Sequence, residues 1–227
     1  MNTLIVFLNG LILPKVSWQK TILAIHSKLQ NSELPQPHLL AYDRHGQGTS
    51  DRDHHGDHDI LDSTQDLYIF LAEFCNKNIK TNLANLQVVF VCNSIGCAVA
   101  RLFAKEHPTI VSGFVFLDSI MAHVDLVELW PDVDALGFTE EELEKDTTIE
   151  ELRNVKEEYR KRFHVSAPNP EGLDRTTLAA LLPEAEAPKL EGDPLLTIVG
   201  HDNEVFAQEN EVNFVFSIYE PLRLKVY

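Results

Sequence analysis

Short apolar runs alternate with longer amphipathic stretches along the chain. Leu4–Leu8 (LIVFL), His38–Tyr42 (HLLAY), Gln87–Cys92 (QVVFVC), Gly113–Leu117 (GFVFL) and Pro194–Val199 (PLLTIV) are compact runs that predict five strands. Each run is continuous rather than alternating, as in strands covered on both faces of a parallel sheet. Helical stretches fill the intervals. Ser17 offers an N-cap for a helix to about Gln30, and Ser63-Thr-Gln-Asp66 reads as a capping box opening a helix to about Asn76. Ile95–Lys105 continues as a helix straight out of the third strand. This order predicts an α/β fold with a mostly parallel sheet flanked by helices.

Between Asp118 and Asp193 the texture changes. The stretch is acidic and helical, with no obvious strand. Thr139-Glu-Glu-Glu142 predicts a second capping box and a charged helix to about Phe163, and Pro168, Pro170, Pro183 and Pro188 punctuate the rest of the stretch. The expected organisation is a single domain over 1–227 with a helical cap insertion at about 120–190. Ordinary crossover helices are the alternative.

Composition narrows the function classes. A chain of 227 residues, 44% hydrophobic, supplies one sizeable core. Its formal net charge of −16 repels polyanions, so no nucleic-acid partner is expected. No run reaches the roughly 18 apolar residues of a membrane span, so no stable membrane insertion is expected. The apolar start, MNTLIVFLNGLILP, has no basic leader or small-residue cleavage site and is read as a strand rather than a signal peptide. Cys75, Cys92 and Cys97 give neither a disulfide framework nor a zinc pattern. They predict buried free thiols in a reducing compartment, and a cytoplasmic location is expected. The loop Asp51-Arg-Asp-His-His-Gly-Asp-His-Asp59 is dense in metal-ligand types, but the residues are consecutive and without a known spacing. It is read as a solvated polar loop, and no metal is expected.

The most informative segment is Val88–Ala104, VVFVCNSIGCAVARLFA. A strand runs directly into a helix, with Ser94 at the corner. A serine at so sharp a turn projects its hydroxyl clear of the backbone, and the N–H of the next residue points toward an anion at the helix N-terminus. Small residues two before and two after, Cys92 and Gly96, let strand and helix approach closely. The plain alternative is a buried strand–turn–helix whose serine merely caps the helix.

Cys92-Asn93-Ser94-Ile95-Gly96 resembles the Gly-x-Ser-x-Gly elbow of the α/β-hydrolase superfamily, with cysteine at the first glycine. Phe7-Leu-Asn-Gly10-Leu11 resembles that family's His-Gly oxyanion loop, with Asn9 in place of histidine and Trp18 at a familiar spacing. Asp43-Arg44-His45-Gly46-Gln47-Gly48-Thr49-Ser50 is similar to the family's Asp-x-x-Gly-x-Gly-x-Ser turn, where the glycines permit a tight turn and Asp43 and Arg44 tie loops together. The resemblance implies an α/β-hydrolase fold, reduced at both ends, with Ser94 as nucleophile and the backbone N–H groups of Leu11 and Ile95 as the oxyanion hole.

The family order is serine, acid, histidine. Asp202, after the fifth strand, is the favoured acid; Asp118, after the fourth, is the alternative, and Glu204 a third candidate. A serine hydroxyl needs a base to take its proton, and that base is ordinarily a histidine oriented by the carboxylate. No histidine follows His201. Three explanations are open: a chain incomplete at its C-terminus, which is favoured because the tail does not resemble the family's end; a pseudoenzyme; or a substitute among His201, His123 and His164. The expected function is hydrolysis of an ester, thioester or similar acyl bond in a small-molecule substrate, with no cofactor. The alternatives are a non-catalytic or truncated ligand-binding relative, and lyase or C–C hydrolase chemistry on the same elbow.

Overall fold

The computed structural model describes residues 2–11, 13–54, 56, 58–119, 123, 125, 127, 128, 130–139, 148–182 and 192–200. In chain order these include β1 (Thr3–Leu8), α1 (Gln19–Gln30), β2 (His38–Ala41), α2 (Ile60–Phe74), β3 (Gln87–Ser94), α3 (Ile95–Glu106), β4 (Val111–Ser119), α4 (Ile149–Phe163), α5 (Leu178–Leu181) and β5 (Leu195–Val199). They divide into two compact units: Met1–His123 with Asn169–Val199, and Val124–Pro168.

The first unit is built on a five-stranded sheet of order β2-β1-β3-β4-β5. All four pairings are parallel, as the continuous apolar runs predicted. Right-handed crossovers dictate the layering. The chain steps one way from β1 to β2 and the other way from β2 to β3 and from β3 to β4. That puts α2 and α3 together on one face. Leu4, Val6, Leu8, Val88, Phe90 and Cys92, at period two, pack there with Leu67 and Leu71 of α2 and Val99 and Phe103 of α3 in one core. The Phe90 and Phe103 rings meet edge-on at 5.2 Å.

Burial of the strands is less even than their sequences suggest. β3 alternates between buried and less buried positions through Cys92, and β1 does so from Thr3 to Val6 before ending on three buried residues, Val6–Leu8. The reason lies with α1, none of whose residues is fully buried; Leu23 is exposed. β5, at the sheet edge, exposes all five of its residues, with Leu195 81% exposed.

Two helix starts differ from expectation. Ser17 falls inside a 3-10 turn, Lys15–Trp18, and α1 follows with Trp18 as its N-cap. The capping box of α2 is Asp59 with Asp62, not Ser63 with Asp66. Asp59 is extended, its carboxylate accepts the N–H groups of Leu61 and Asp62, and the Asp62 side chain accepts the N–H of Asp59. An acid at the N-cap also suits the helix dipole, so Asp59 takes the role one turn early.

In the second unit α4 is opened by a capping box formed by Thr148 and Glu151. Residues 140–147, where the Thr139 box was expected to open its helix, lie outside those described. Trp130, Leu152 and Tyr159 form a small core of their own, with the Trp130 and Tyr159 rings 5.0 Å apart. Among the described residues no helix is long and apolar enough to cross a membrane.

Candidate active site

Ser94 ends β3 and stands immediately before α3. Its backbone has φ 49° and ψ −121°, a region that a residue with a Cβ occupies only under constraint. The constraint comes from close packing on both sides of the turn. A Cβ at Gly96 would lie 2.7 Å from the carbonyl oxygen of Leu8 and 2.8 Å from that of Asn9. A Cβ at Gly10 would lie 2.6 Å from Asn93 Oδ1, and the Cβ of Ser94 is 3.4 Å from that same point. The loop after β1 therefore rests directly on the corner. Asn93 adds a tether, donating from Nδ2 to the Leu117 carbonyl of β4 at 3.2 Å.

The plain-cap alternative does not describe this serine. Ser94 is the N-cap residue of α3, yet its side chain makes no capping hydrogen bond. Cys92, where the family pattern has glycine, is fully buried and hydrogen-bonds to the Cys97 thiol on the first turn of α3. Burial pushes the Cys92 thiol well up, so it stays protonated and packs as a small apolar side chain.

The predicted oxyanion donors occupy different settings. Ile95 is the first residue of α3 and is buried, so its N–H belongs to the unsatisfied first turn of a helix. Leu11 follows Gly10, and its N–H shares a peptide with the Gly10 carbonyl. That carbonyl accepts from Gln47 Nε2 at 2.8 Å and Arg44 Nη2 at 3.2 Å. A trans peptide holds C=O and N–H in opposite directions. Anchoring the carbonyl in the Arg44–Gln47 pair thus turns the Leu11 N–H the other way.

This anchor is a buried polar network. Arg44 also donates to the Asn9 carbonyl at 2.8 Å and grips Glu171 with two bonds, Nε to Oε2 at 3.1 Å and Nη2 to Oε1 at 3.2 Å. Gln47 reaches the same carboxylate at 2.9 Å. The loop-tying role expected of Arg44 is therefore filled, and Glu171 is the partner that sequence reading missed. Nothing around Glu171 in the sequence sets it apart from the other acids of its segment.

Asp43 anchors the next stretch. Burial works to raise its carboxyl, but hydrogen bonds from the Lys15 side chain, the Lys15 N–H and the Thr49 N–H outweigh that and hold it below the usual carboxylate range. A depressed carboxyl contributes stability above its unfolded value, near 3.9, and loses it as pH falls below that through the folded value. Asp43→Asn should therefore flatten the acid limb of the stability profile, read as urea midpoints at pH 6 and pH 3. An unchanged acid slope in the variant would remove Asp43 from that role.

Asp118 is placed at the same end of the sheet as Ser94. The β3–β4 register runs Asn93↔Leu117 and then Ser94↔Ser119, skipping Asp118, which bulges out at φ 48° and is exposed. Asp202, Glu204 and His201 lie outside the described residues. The strand leading toward them ends at Val199, the register partner of Leu117. Of the other two candidate bases, His123 Nε2 is bonded to the Leu182 carbonyl at 2.8 Å, and His164 Nδ1 lies 2.7 Å from Ser166 Oγ. Among the described residues no histidine nitrogen is hydrogen-bonded to Ser94.

In the histidine-rich loop, no group of three or more described His, Cys, Asp or Glu side chains could hold a metal ion. His58 is instead 6% exposed, 2.9 Å from Asp53 Oδ2 through Nδ1 and 2.9 Å from Ser63 Oγ through Nε2. A wholly solvated loop was expected, and this histidine departs from it because two polar partners satisfy both ring nitrogens.

No curated protein is similar enough to the chain to be matched with it. Solved structures are similar at low identity. A carboxylesterase of the ammonia-oxidizing thaumarchaeon Nitrososphaera gargenis matches at 17% identity and TM-score 0.49, over 93% of this chain and 76% of that one. A loop variant of a haloalkane dehalogenase from Bradyrhizobium elkanii matches at 18% identity and TM-score 0.48, over 70% of this chain and 43% of that one. An alpha/beta hydrolase enzyme from a Medee basin deep-sea metagenome library matches at 25% identity and TM-score 0.38, over 51% of this chain and 36% of that one. The chain thus spans less than half the length of the last two. Residues 5–212, which take in the Gly10 loop, the Asp43–Ser50 turn and the Ser94 elbow, match the profile of the Alpha/beta hydrolase family, and the chain belongs to that family.

Proposed function

We propose that the protein hydrolyses an ester, thioester or similar acyl bond of a small molecule through an acyl-enzyme on Ser94. The observation that carries this reading is the Ser94 backbone, held at φ 49° with its hydroxyl unused by the helix it precedes. Ser94 Oγ attacks the carbonyl carbon, and the N–H groups of Leu11 and Ile95 stabilise the oxyanion, each worth about 3 kcal/mol of barrier. The alcohol or thiol leaves, and water releases the acid. The reaction so drawn uses no cofactor. Asp202 or Asp118 orients the base, a histidine that must come within about 3 Å of Ser94 Oγ.

The stretch of about 120–190 is a helical insertion of the hydrolase domain in this reading. Support comes from the sheet, where β4 and β5 are neighbours although the chain between Ser119 and Leu195 is long. The three buried free cysteines fit a reducing, cytoplasmic setting.

The test is labelling of the purified protein with a fluorophosphonate, the adduct located by peptide mass spectrometry. An adduct on Ser94, with hydrolysis of a p-nitrophenyl ester blocked in proportion, supports the reading. A folded protein that acquires no adduct on Ser94 overturns it. A second reading, a ligand binder without turnover, is favoured by the absence of a bonded histidine at Ser94 among the described residues, and that negative outcome selects it.

A further inference from the structure

Ser63 sits in the first turn of α2, where its side chain has no capping duty, because Asp59 closes the helix. The neighbouring Thr64 hydroxyl donates back to the Ile60 carbonyl at 2.8 Å, the ordinary choice for a hydroxyl inside a helix. Ser63 instead directs Oγ to His58 Nε2 at 2.9 Å, and His58 Nδ1 stands 2.9 Å from Asp53 Oδ2. An ionised carboxylate only accepts, so Nδ1 carries the hydrogen. In the neutral ring Nε2 is then an acceptor, and the Ser63 hydroxyl donates to it. Nucleophile, base and orienting acid are thus joined in the order that activates a serine.

Ser63 and His58 are buried, 2% and 6% exposed, and lie in the wall of a cavity. His58 and Ser63 line a cavity of about 660 Å³ together with Lys15, His45, Asp51 and Asp66. Ser94 and the Gly10 loop are not among its lining residues. Of the other charged lining residues, Lys15 is paired with Asp43 and Arg44 with Glu171, so Asp51 and Asp66 are left to disfavour an anionic guest, and the cavity suits a small neutral electrophile.

We propose that Asp53, His58 and Ser63 form a second activated-serine site, acylated on Ser63 by small neutral esters and phosphonylated by small fluorophosphonates. In the step, Ser63 Oγ bonds to the carbonyl carbon and its proton passes to His58 Nε2. The bond to the leaving oxygen breaks, and the departing alkoxide takes that proton from His58. The products are an acyl-Ser63 and an alcohol. The expected result is stoichiometric modification, independent of the chemistry at Ser94.

The experiment uses the full chain carrying Ser94→Ala, treated with diisopropyl fluorophosphate. Intact mass and peptide mapping follow the adduct. One equivalent on Ser63 is expected, absent when Ser63→Ala is added. Adding His58→Gln should slow its formation by about 100-fold or more, as loss of a positioned base does. Since His58 is buried, Asp53→Asn provides a second variant. It keeps the shape of the acid but reverses the preferred tautomer, and it should slow the adduct comparably while circular dichroism and the melting temperature stay at the parent values. Overturning results are a folded Ser94→Ala protein with Ser63 unmodified, or an adduct on Ser63 forming at an unchanged rate in the Asp53→Asn variant. Labelling confined to Ser94 in the unsubstituted chain would equally sink this site while leaving the proposed hydrolase intact.

Discussion

Ser94→Gly is expected to abolish ester hydrolysis and to stabilise the fold in the same molecule. The native serine is held at φ 49° and ψ −121°. Backbone strain of this kind costs on the order of 1–3 kcal/mol. Glycine reaches positive φ without a Cβ clash, at a conformational-entropy cost of roughly 0.5–1 kcal/mol. The Ser94 side chain makes no capping bond whose loss would offset the gain. The net effect should be stabilisation by about 1 kcal/mol, a rise of roughly 2–4 °C in melting temperature for a chain of this size. Turnover should fall by about 10⁴-fold or more, since nothing replaces the nucleophilic oxygen. Stability gained at the expense of activity is the signature of a residue kept for chemistry. Calorimetry and p-nitrophenyl ester kinetics on the two proteins decide it. A variant destabilised by about 1 kcal/mol or more would show that the corner stores no such strain. Activity surviving in the variant would remove Ser94 as the nucleophile.

The readable parts of this chain are those whose constraint is local. All five strands carry their own apolar runs, and each falls within one residue of expectation except β3 and β4, which differ by two. Those two extend further, to Ser94 and Ser119, because they pair with each other up to the elbow. The elbow itself was legible because a close strand–helix approach demands small residues at fixed offsets from the serine, and Gly96 meets that demand against the Leu8 and Asn9 carbonyls. The start of α2 was misread by one turn because Ser63 and Asp66 fit the box pattern as well as Asp59 and Asp62 do. What separates them is a contact the box pattern does not encode, since Ser63 is held by His58 five positions earlier. Glu171 and the Asp53–His58–Ser63 relay were invisible for a related reason. Glu171 meets Arg44 across 127 positions of chain, and no periodicity encodes such a pairing. The relay is local, yet its members read as a solvated loop running into a helix cap until His58 proves to be buried.

Glu171→Gln is expected to be the most destabilising conservative substitution in the first unit, at about 3–5 kcal/mol by urea denaturation. Arg44 and Glu171 are both under 5% exposed, and their two-bond grip is the counter-charge for a guanidinium otherwise surrounded by carbonyls. Removing one charge leaves the other buried without neutralisation, which costs far more than the pair contributes. The same network turns the Gly10–Leu11 peptide, so its loss should also lower kcat at temperatures where the variant remains folded, with KM little changed. A double variant, Arg44→Met with Glu171→Met, separates the two effects. Burying two apolar side chains in place of a pair should recover much of the lost stability. It cannot restore the Arg44 bonds to the Asn9 and Gly10 carbonyls, so kcat should stay low. Recovery of kcat together with stability would mean that the network supports only the fold, and that the Leu11 N–H is aimed by the packing of the Gly10 loop on Asn93 and Ser94 alone.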